Sequence, residues 1–292
     1  MFRTVQELIF QAESQNKKIW EIMISQEMEY SQLNYDEIWQ AMDTRYEVMA
    51  QAIQQGIQGV HSRSGLTGGD AKKLYTYIQG GKFLTDKCFL LASCYAMATN
   101  EVNAAMGVVC ATPTAGASGT LPGVLFALQE THSYTKEQII QALFTAGAFG
   151  YIIANNAMIS GATGGCQAEV GSASAMAAGA AAELAGATPA QASHAMAIAM
   201  KNLLGLACDP VAGLVEVPCV KRNSGGASIA LAAAESALAG IQSRIPADEV
   251  IQAMYQIGLN MPESVRETAM GGLAQSETAR YWSNRIASLE NF

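Results

Sequence analysis

Apolar residues recur along most of the chain at the three- and four-residue steps of an α-helix, and strand-like alternation is nearly absent. Trp39, Met42, Tyr46, Met49, Ile53 and Ile57 mark one face of a helix that opens after Asn34. Asn34 can cap it, and Asp36 and Glu37 suit its first turn. A second helix is expected from Asp86 to about Met106. Thr135-Lys136-Glu137-Gln138 spells a capping box and opens a helix to about Asn155. Thr188-Pro189-Ala190-Gln191 repeats that chemistry with proline at the first helical position, and its helix should reach about Leu206. Two Ala-rich helices, about Ser172–Ala185 and Gly226–Ile241, carry side chains small enough for close approach and belong at the centre of a bundle. Asp248–Leu259 closes the main body, and Val215-Glu216-Val217 gives the one short hint of a strand. The expected fold is all-α. It is a compact multi-helix bundle with small-residue central helices, in a single domain over 1–292, with N-terminal helices over about 1–60 and a core over about 61–280.

Four loops rich in Gly, Ser and Thr interrupt the helices. They are Ser64-Gly65-Leu66-Thr67-Gly68-Gly69-Asp70, Cys110 through Gly119, Ser160-Gly161-Ala162-Thr163-Gly164-Gly165-Cys166, and Cys208-Asp209-Pro210 through Pro218-Cys219. Glycine permits backbone conformations that aim successive N–H groups at one point, and such loops can build a pocket for a small anion between helices. Tight turns are the plainer alternative.

Composition narrows the function. Half the residues are hydrophobic, 14% are charged and the formal charge is -8. No basic face is available for nucleic acid. The start, Met1 to Leu8, reads as an amphipathic helix with an early acid, not as a signal peptide, so a cytoplasmic setting with reduced cysteines is expected. Between Ile139 and Val170 only Glu169 is charged, but Asn155, Asn156, Ser160 and several glycines break that stretch. It is expected to be a core helix running into a glycine loop, not a membrane span. No Walker loop, dinucleotide fingerprint or pyridoxal-lysine signal is present.

Of six cysteines, Cys88 and Cys94 lie in an apolar helical run and read as core residues. Cys110 borders a glycine loop and its role stays open. Cys166, Cys208 and Cys219 sit beside Gly-Gly, Asp-Pro and Pro, where a sulfur can point away from a helix axis. No Cys-x-x-Cys spacing is present. Three thiolates could hold three irons of a cubane and leave the fourth open, which would turn an electron carrier into a Lewis acid. Buried structural cysteine, or a zinc site with a bound water, is the alternative. Asn100, Glu101, Asn155, Asn156 and Glu169 are polar among small apolar residues, and pocket roles and helix capping stand level for them. Of the three histidines, His132 looks solvated, His194 lies within a helix, and His61 is nearest a candidate loop. A non-catalytic helical scaffold is a further alternative.

The stretches Ser160 through Gly171 and Cys208 through Asn223 resemble the three cluster-cysteine motifs of the iron–sulfur-dependent L-serine dehydratases. Ser64 through Gly69, Ala111 through Gly116 and Ala98 through Ala105 fit the same family. The resemblance runs from Met1 to about Arg280. It implies an α (catalytic) subunit with a [4Fe–4S] cluster on Cys166, Cys208 and Cys219, held in the core over about 61–280. The implied reaction deaminates L-serine to pyruvate and ammonia without pyridoxal phosphate. Ser64, Thr67, Thr112, Thr114, Ser118 and Asn223 are the expected substrate contacts, with Lys221 and Arg222 adding charge or donors near Cys219. Single-chain relatives join an α/β domain to this one, so a separate β subunit, a hetero-oligomer and a catalytic histidine on that β subunit are implied. His61 is the local candidate base. Single-chain relatives can also end in a cysteine that fills the open iron, and Ser288 through Phe292 contains none, so that self-blocking device is expected to be absent. Ala115 stands where some relatives carry asparagine. A dehydratase of threonine or another small hydroxy amino acid is nearly indistinguishable on this basis.

Overall fold

The computed structural model describes residues 2–289. Met1, read above as part of the opening helix, and residues 290–292 of the C-terminal stretch read for a missing cysteine lie outside the described residues. The chain opens with α1 (Val5–Ser14), α2 (Ile19–Ser31), α3 (Tyr35–Gln58), α4 (Asp70–Gln79) and α5 (Lys87–Ala104). The middle holds α6 (Thr120–His132), α7 (Lys136–Asn156), the short α8 (Gly161–Gly164) and α9 (Ser172–Leu184). The last part holds α10 (Pro189–Lys201), α11 (Cys219–Leu238), α12 (Ala247–Asn260) and α13 (Glu277–Leu289). Among the described residues there is no strand, and the all-α expectation holds. Val215–Val217 lies in a bend and turn; the isolated bridges instead join His61 to Gly68 and Cys208 to Arg266.

Local chemistry sets most helix starts. Asn34, Thr135 and Thr188 each accept from the backbone N–H three residues on, and Glu37, Gln138 and Gln191 return the bond, closing three capping boxes. Each such cap stabilises its helix by about 1 kcal/mol. Asp86 caps α5 by accepting from Phe89 N–H at 2.9 Å.

The centre is α9. Ser172 through Glu183 are all buried, and the helix packs against α6, α7, α10 and α11. Small side chains let backbones meet: a Cβ added to Gly56 on α3 would lie 2.3 Å from the Ala98 carbonyl oxygen on α5. Larger residues, among them Leu8, Ile19, Leu91, Leu121, Phe149 and Ile152, fill the space around this middle and carry most of the apolar burial.

Two boundaries differ from expectation. The helix expected from Gly226 begins instead at Cys219, and Gly225-Gly226 lie inside it. A Cβ on Gly226 would sit 2.7 Å from Val170 Cγ1, so contact with a neighbouring segment, not a helix start, accounts for the glycine there. The helix expected to reach Leu206 stops at Lys201. Beyond it Gly205 takes φ +83° and donates its N–H to Gln167 Oε1 at 2.9 Å, turning the chain toward Cys166. The apolar stretch 139–170 divides into α7, a loop and α8. Among the described residues no helix is long and apolar enough to cross a membrane.

Candidate active site

The four loops meet at one end of the bundle, joined by bonds between residues far apart in sequence. Ser64 Oγ lies 2.8 Å from both carboxylate oxygens of Glu216, tying the first loop to the last. Thr114 Oγ1 donates to Glu169 Oε1 at 2.6 Å, tying the proline loop to the turn after Cys166. A Cβ added at Gly161 would meet Glu169 Oε2 at 2.6 Å and Cys208 Sγ at 2.8 Å, so glycine there lets the third loop press on the fourth. Pro113 and Pro218 follow cis peptide bonds.

Asn223 organises this end from α11. Its Oδ1 accepts from Gly119 N–H at 3.0 Å and Thr120 N–H at 3.1 Å, while Nδ2 donates to the carbonyls of Gly116 at 2.7 Å and Cys219 at 3.0 Å. The carboxamide is fully buried and spent on protein partners, so Asn223 positions the proline loop and is not free for a ligand. Ser118, also fully buried, faces Asn100 Nδ2 at 3.3 Å. Thr67 and Thr112 differ: both hydroxyls are buried and neither has a protein partner, nor has Asn100 Oδ1. Buried polar atoms without a partner are rare in folded proteins and mark places where a ligand or water completes the bonding.

Cys166, Cys208 and Cys219 are all buried and carry no disulfide. Cys166 leads into a π-helical turn, Gln167–Gly171, a distortion frequent at functional sites. Cys208 is held by backbone bonds from its N–H to Val265 O at 2.8 Å and from Glu267 N–H to its own carbonyl at 2.7 Å. Cys219 begins α11. Burial pushes the Cys166 thiol up to about 11, opposed by the Arg222 guanidinium. Burial, then the charge of Cys166, pushes Cys219 up to about 12. Cys208 is raised by burial, then by Cys166, with Glu169, Cys219 and Glu267 adding to it. Cys208 thus feels the charge of both other thiols, and Cys219 that of Cys166. Among the described residues, no group of three or more His, Cys, Asp or Glu side chains is arranged to hold a metal ion.

The remaining candidates separate. Cys94 is buried and its S–H donates to Ala71 O at 3.3 Å, while Cys88 is half-buried against the core. Cys110 turns to α3, with its sulfur 3.6 Å from Arg45 O. Asn155 and Asn156 bond backbone carbonyls one turn back, and Asn156 also reaches Arg3 O, so both satisfy backbone. Glu101 accepts from Asp70 and Ala71 N–H at 2.8 and 3.3 Å, fixing the start of α4 just after the first loop. Lys221 of α11 pairs with Asp70 at the start of α4. His61 is exposed and its ring lies against Gly68 and Gly69; His132 is exposed; His194 is half-buried on α10, its pKa lowered by burial and then by Lys201. Sequence reasoning missed the part played by Glu216 and Asp209. Their signal was present as acidic residues flanking the Cys-Asp-Pro and Pro-Cys elements.

The serine dehydratase alpha chain family model matches residues 14–274. The chain belongs to this family. It is 59% identical over 286 residues to a probable L-serine dehydratase, alpha chain, of Bacillus subtilis, covering 98% of this chain and 95% of that one. It is 41% identical to the L-serine dehydratase, alpha chain, of Peptoniphilus asaccharolyticus, covering 96% of each. An L-serine dehydratase of Streptomyces coelicolor is 37% identical over 94% of this chain, which spans 60% of that longer protein. Within the family match fall all four loops and the three clustered cysteines.

Proposed function

We propose that this chain is the catalytic α chain of an L-serine dehydratase, which holds a [4Fe–4S] cluster on Cys166, Cys208 and Cys219 and works with a separate β chain. The observation that carries the reading is a set of three buried thiols from three separate segments, with Cys208 feeling the charge of both others. The donor set suits iron in a cluster: all three ligands are soft sulfur, supplied by residues 166, 208 and 219.

When bound, such a cluster supplies a Lewis-acid iron for the departing hydroxyl group. The chain's own residues account for the rest of binding. Thr67 and Thr112 offer hydroxyls to the carboxylate or ammonium of a small amino acid. Thr114 donates its single O–H to Glu169, which leaves hydroxyl lone pairs to accept from an ammonium group, while Ser64 donates to Glu216 and accepts from Leu66 N–H. Asn223, Ser118 and Asn100 hold the proline loop in shape and Glu101 holds the first loop. Loss of the Cα proton and the β-hydroxyl converts serine to aminoacrylate and water, and tautomerisation with hydrolysis then gives pyruvate and ammonia. The base is assigned to the β chain; within this chain His61, beside the Ser64–Gly69 loop, is the local candidate.

The test is anaerobic purification, reconstitution with iron and sulfide, and a serine assay with and without the β chain. The expected result is a brown chain with near-stoichiometric cluster that turns over serine only with its partner. Full activity from the isolated chain would remove the two-chain mechanism. Failure to take up iron and sulfide would remove the cofactor.

A further inference from the structure

Arg222 lies one helical turn beyond Cys219 on α11. Its Nη1 donates to the Ala207 carbonyl at 2.6 Å and its Nη2 to Asp209 Oδ1 at 2.8 Å, so the guanidinium grips the chain on both sides of Cys208. Its charge also bears on buried Cys166. One planar cation thus ties the helix that begins at Cys219 to both flanks of Cys208. Its counter-ion is fixed in turn: Asp209 is buried, and Oδ2 accepts from Leu273 N–H at 2.7 Å.

Charge makes this placement consequential. Three thiolates in a buried pocket repel one another, and the carboxylates that also bear on Cys208, Glu169 and Glu267, add to the negative side. Lys221, the neighbouring cation, turns the other way to Asp70. The rigid fork of an arginine can meet a carbonyl and a carboxylate together, which the point charge of a lysine cannot.

We propose that Arg222 is a positioning residue for the thiolate set: it fixes the Cys208 segment against the helix of Cys219 and supplies the positive charge that lets three thiolates share one buried place. Retention of the metal centre, more than the helical fold, then depends on it. This rests on the cofactor reading above.

The test compares the full-length wild-type chain with R222Q and R222K after anaerobic reconstitution with ferrous iron and sulfide. Iron and sulfide per chain, visible absorption and the rate of bleaching by a chelator are measured. Far-UV circular dichroism and thermal unfolding are followed on the metal-free chains. Outer partners of metal ligands typically change affinity by about 10–100-fold. R222Q is expected to keep its helical spectrum and to lose iron faster by that factor. R222K, which keeps charge without the fork, should fall between. Wild-type retention in R222Q overturns the proposal. Collapse of both metal-free variants overturns it too, by making Arg222 a folding residue. A wild-type chain that takes up no iron and sulfide overturns the cofactor reading, and this inference with it.

Discussion

The helical body around α9, buried throughout, and the loop end around Cys208, where buried and exposed residues alternate, are held by different forces. In the body, alanine and glycine bring backbones together and dispersion and burial supply the energy. At the loop end few large apolar side chains are present. Order comes from side chains that bond backbone or one another across long sequence separations: Asn223 to the proline loop, Ser64 to Glu216, Arg222 to Asp209. The body is sensitive to volume and the loop end to hydrogen-bonding and charge. A substitution that leaves stability alone can therefore still remove function at the loop end, and the reverse holds in the body.

The sharpest contrast comes from C208S. Exchange of sulfur for oxygen changes little volume, so the metal-free chain should unfold near the wild-type midpoint, while iron retention and serine turnover with the partner chain fall to background. A C208S chain that keeps both would erase the distinction. G56A is the converse. Its new Cβ would lie 2.3 Å from a backbone oxygen that no side-chain rotation can clear. It should cost about 1–3 kcal/mol in urea unfolding and leave KM unchanged. A neutral G56A would show that α3 and α5 separate freely.

Smaller effects refine the picture. T112V removes a buried hydroxyl with no protein partner, so stability should hold or rise slightly. KM for serine should rise roughly 3–10-fold, the worth of about one hydrogen bond. Unchanged kinetics would take Thr112 out of the substrate pocket. The smallest effect is a pH dependence in the body. Burial holds the Glu183 carboxyl above its ordinary value of 4.5, against the bonds from Thr145 and Ile19 N–H that favour its charge. Because the folded pKa is raised, its favourable contribution is complete below the ordinary carboxylate range and is lost as pH rises through the folded value. E183Q cannot ionise, so its stability relative to wild type should improve from acid to neutral pH. A pH-independent difference in urea midpoints would refute this.

Local signals were legible in the sequence and long-range ones were not. Asn34, Thr135 and Thr188 state their roles within four residues, and the structure caps helices with each. The four loops were legible because glycine and hydroxyl residues are conspicuous between apolar helices. The start of α11 was missed because Gly225-Gly226 suggest a break locally, and only Val170 and Thr120 on other segments explain them. Asn223 was expected at the ligand, yet it bonds Gly116, Gly119 and Thr120 over 100 residues earlier, beyond what spacing can report. The cysteine set was expected only through family likeness; its spacing alone left structural cysteine open.

The enclosure of α9 also bears on how this chain can vary through descent. With Ser172 through Glu183 buried and almost every side chain already among the smallest, substitution there has nearly no upward direction. Most accessible codon changes enlarge the residue, and no solvent-facing side exists to receive the excess. Drift should therefore be channelled into the outer helices, leaving α9 as a near-fixed ruler against which more distant sequences can be aligned.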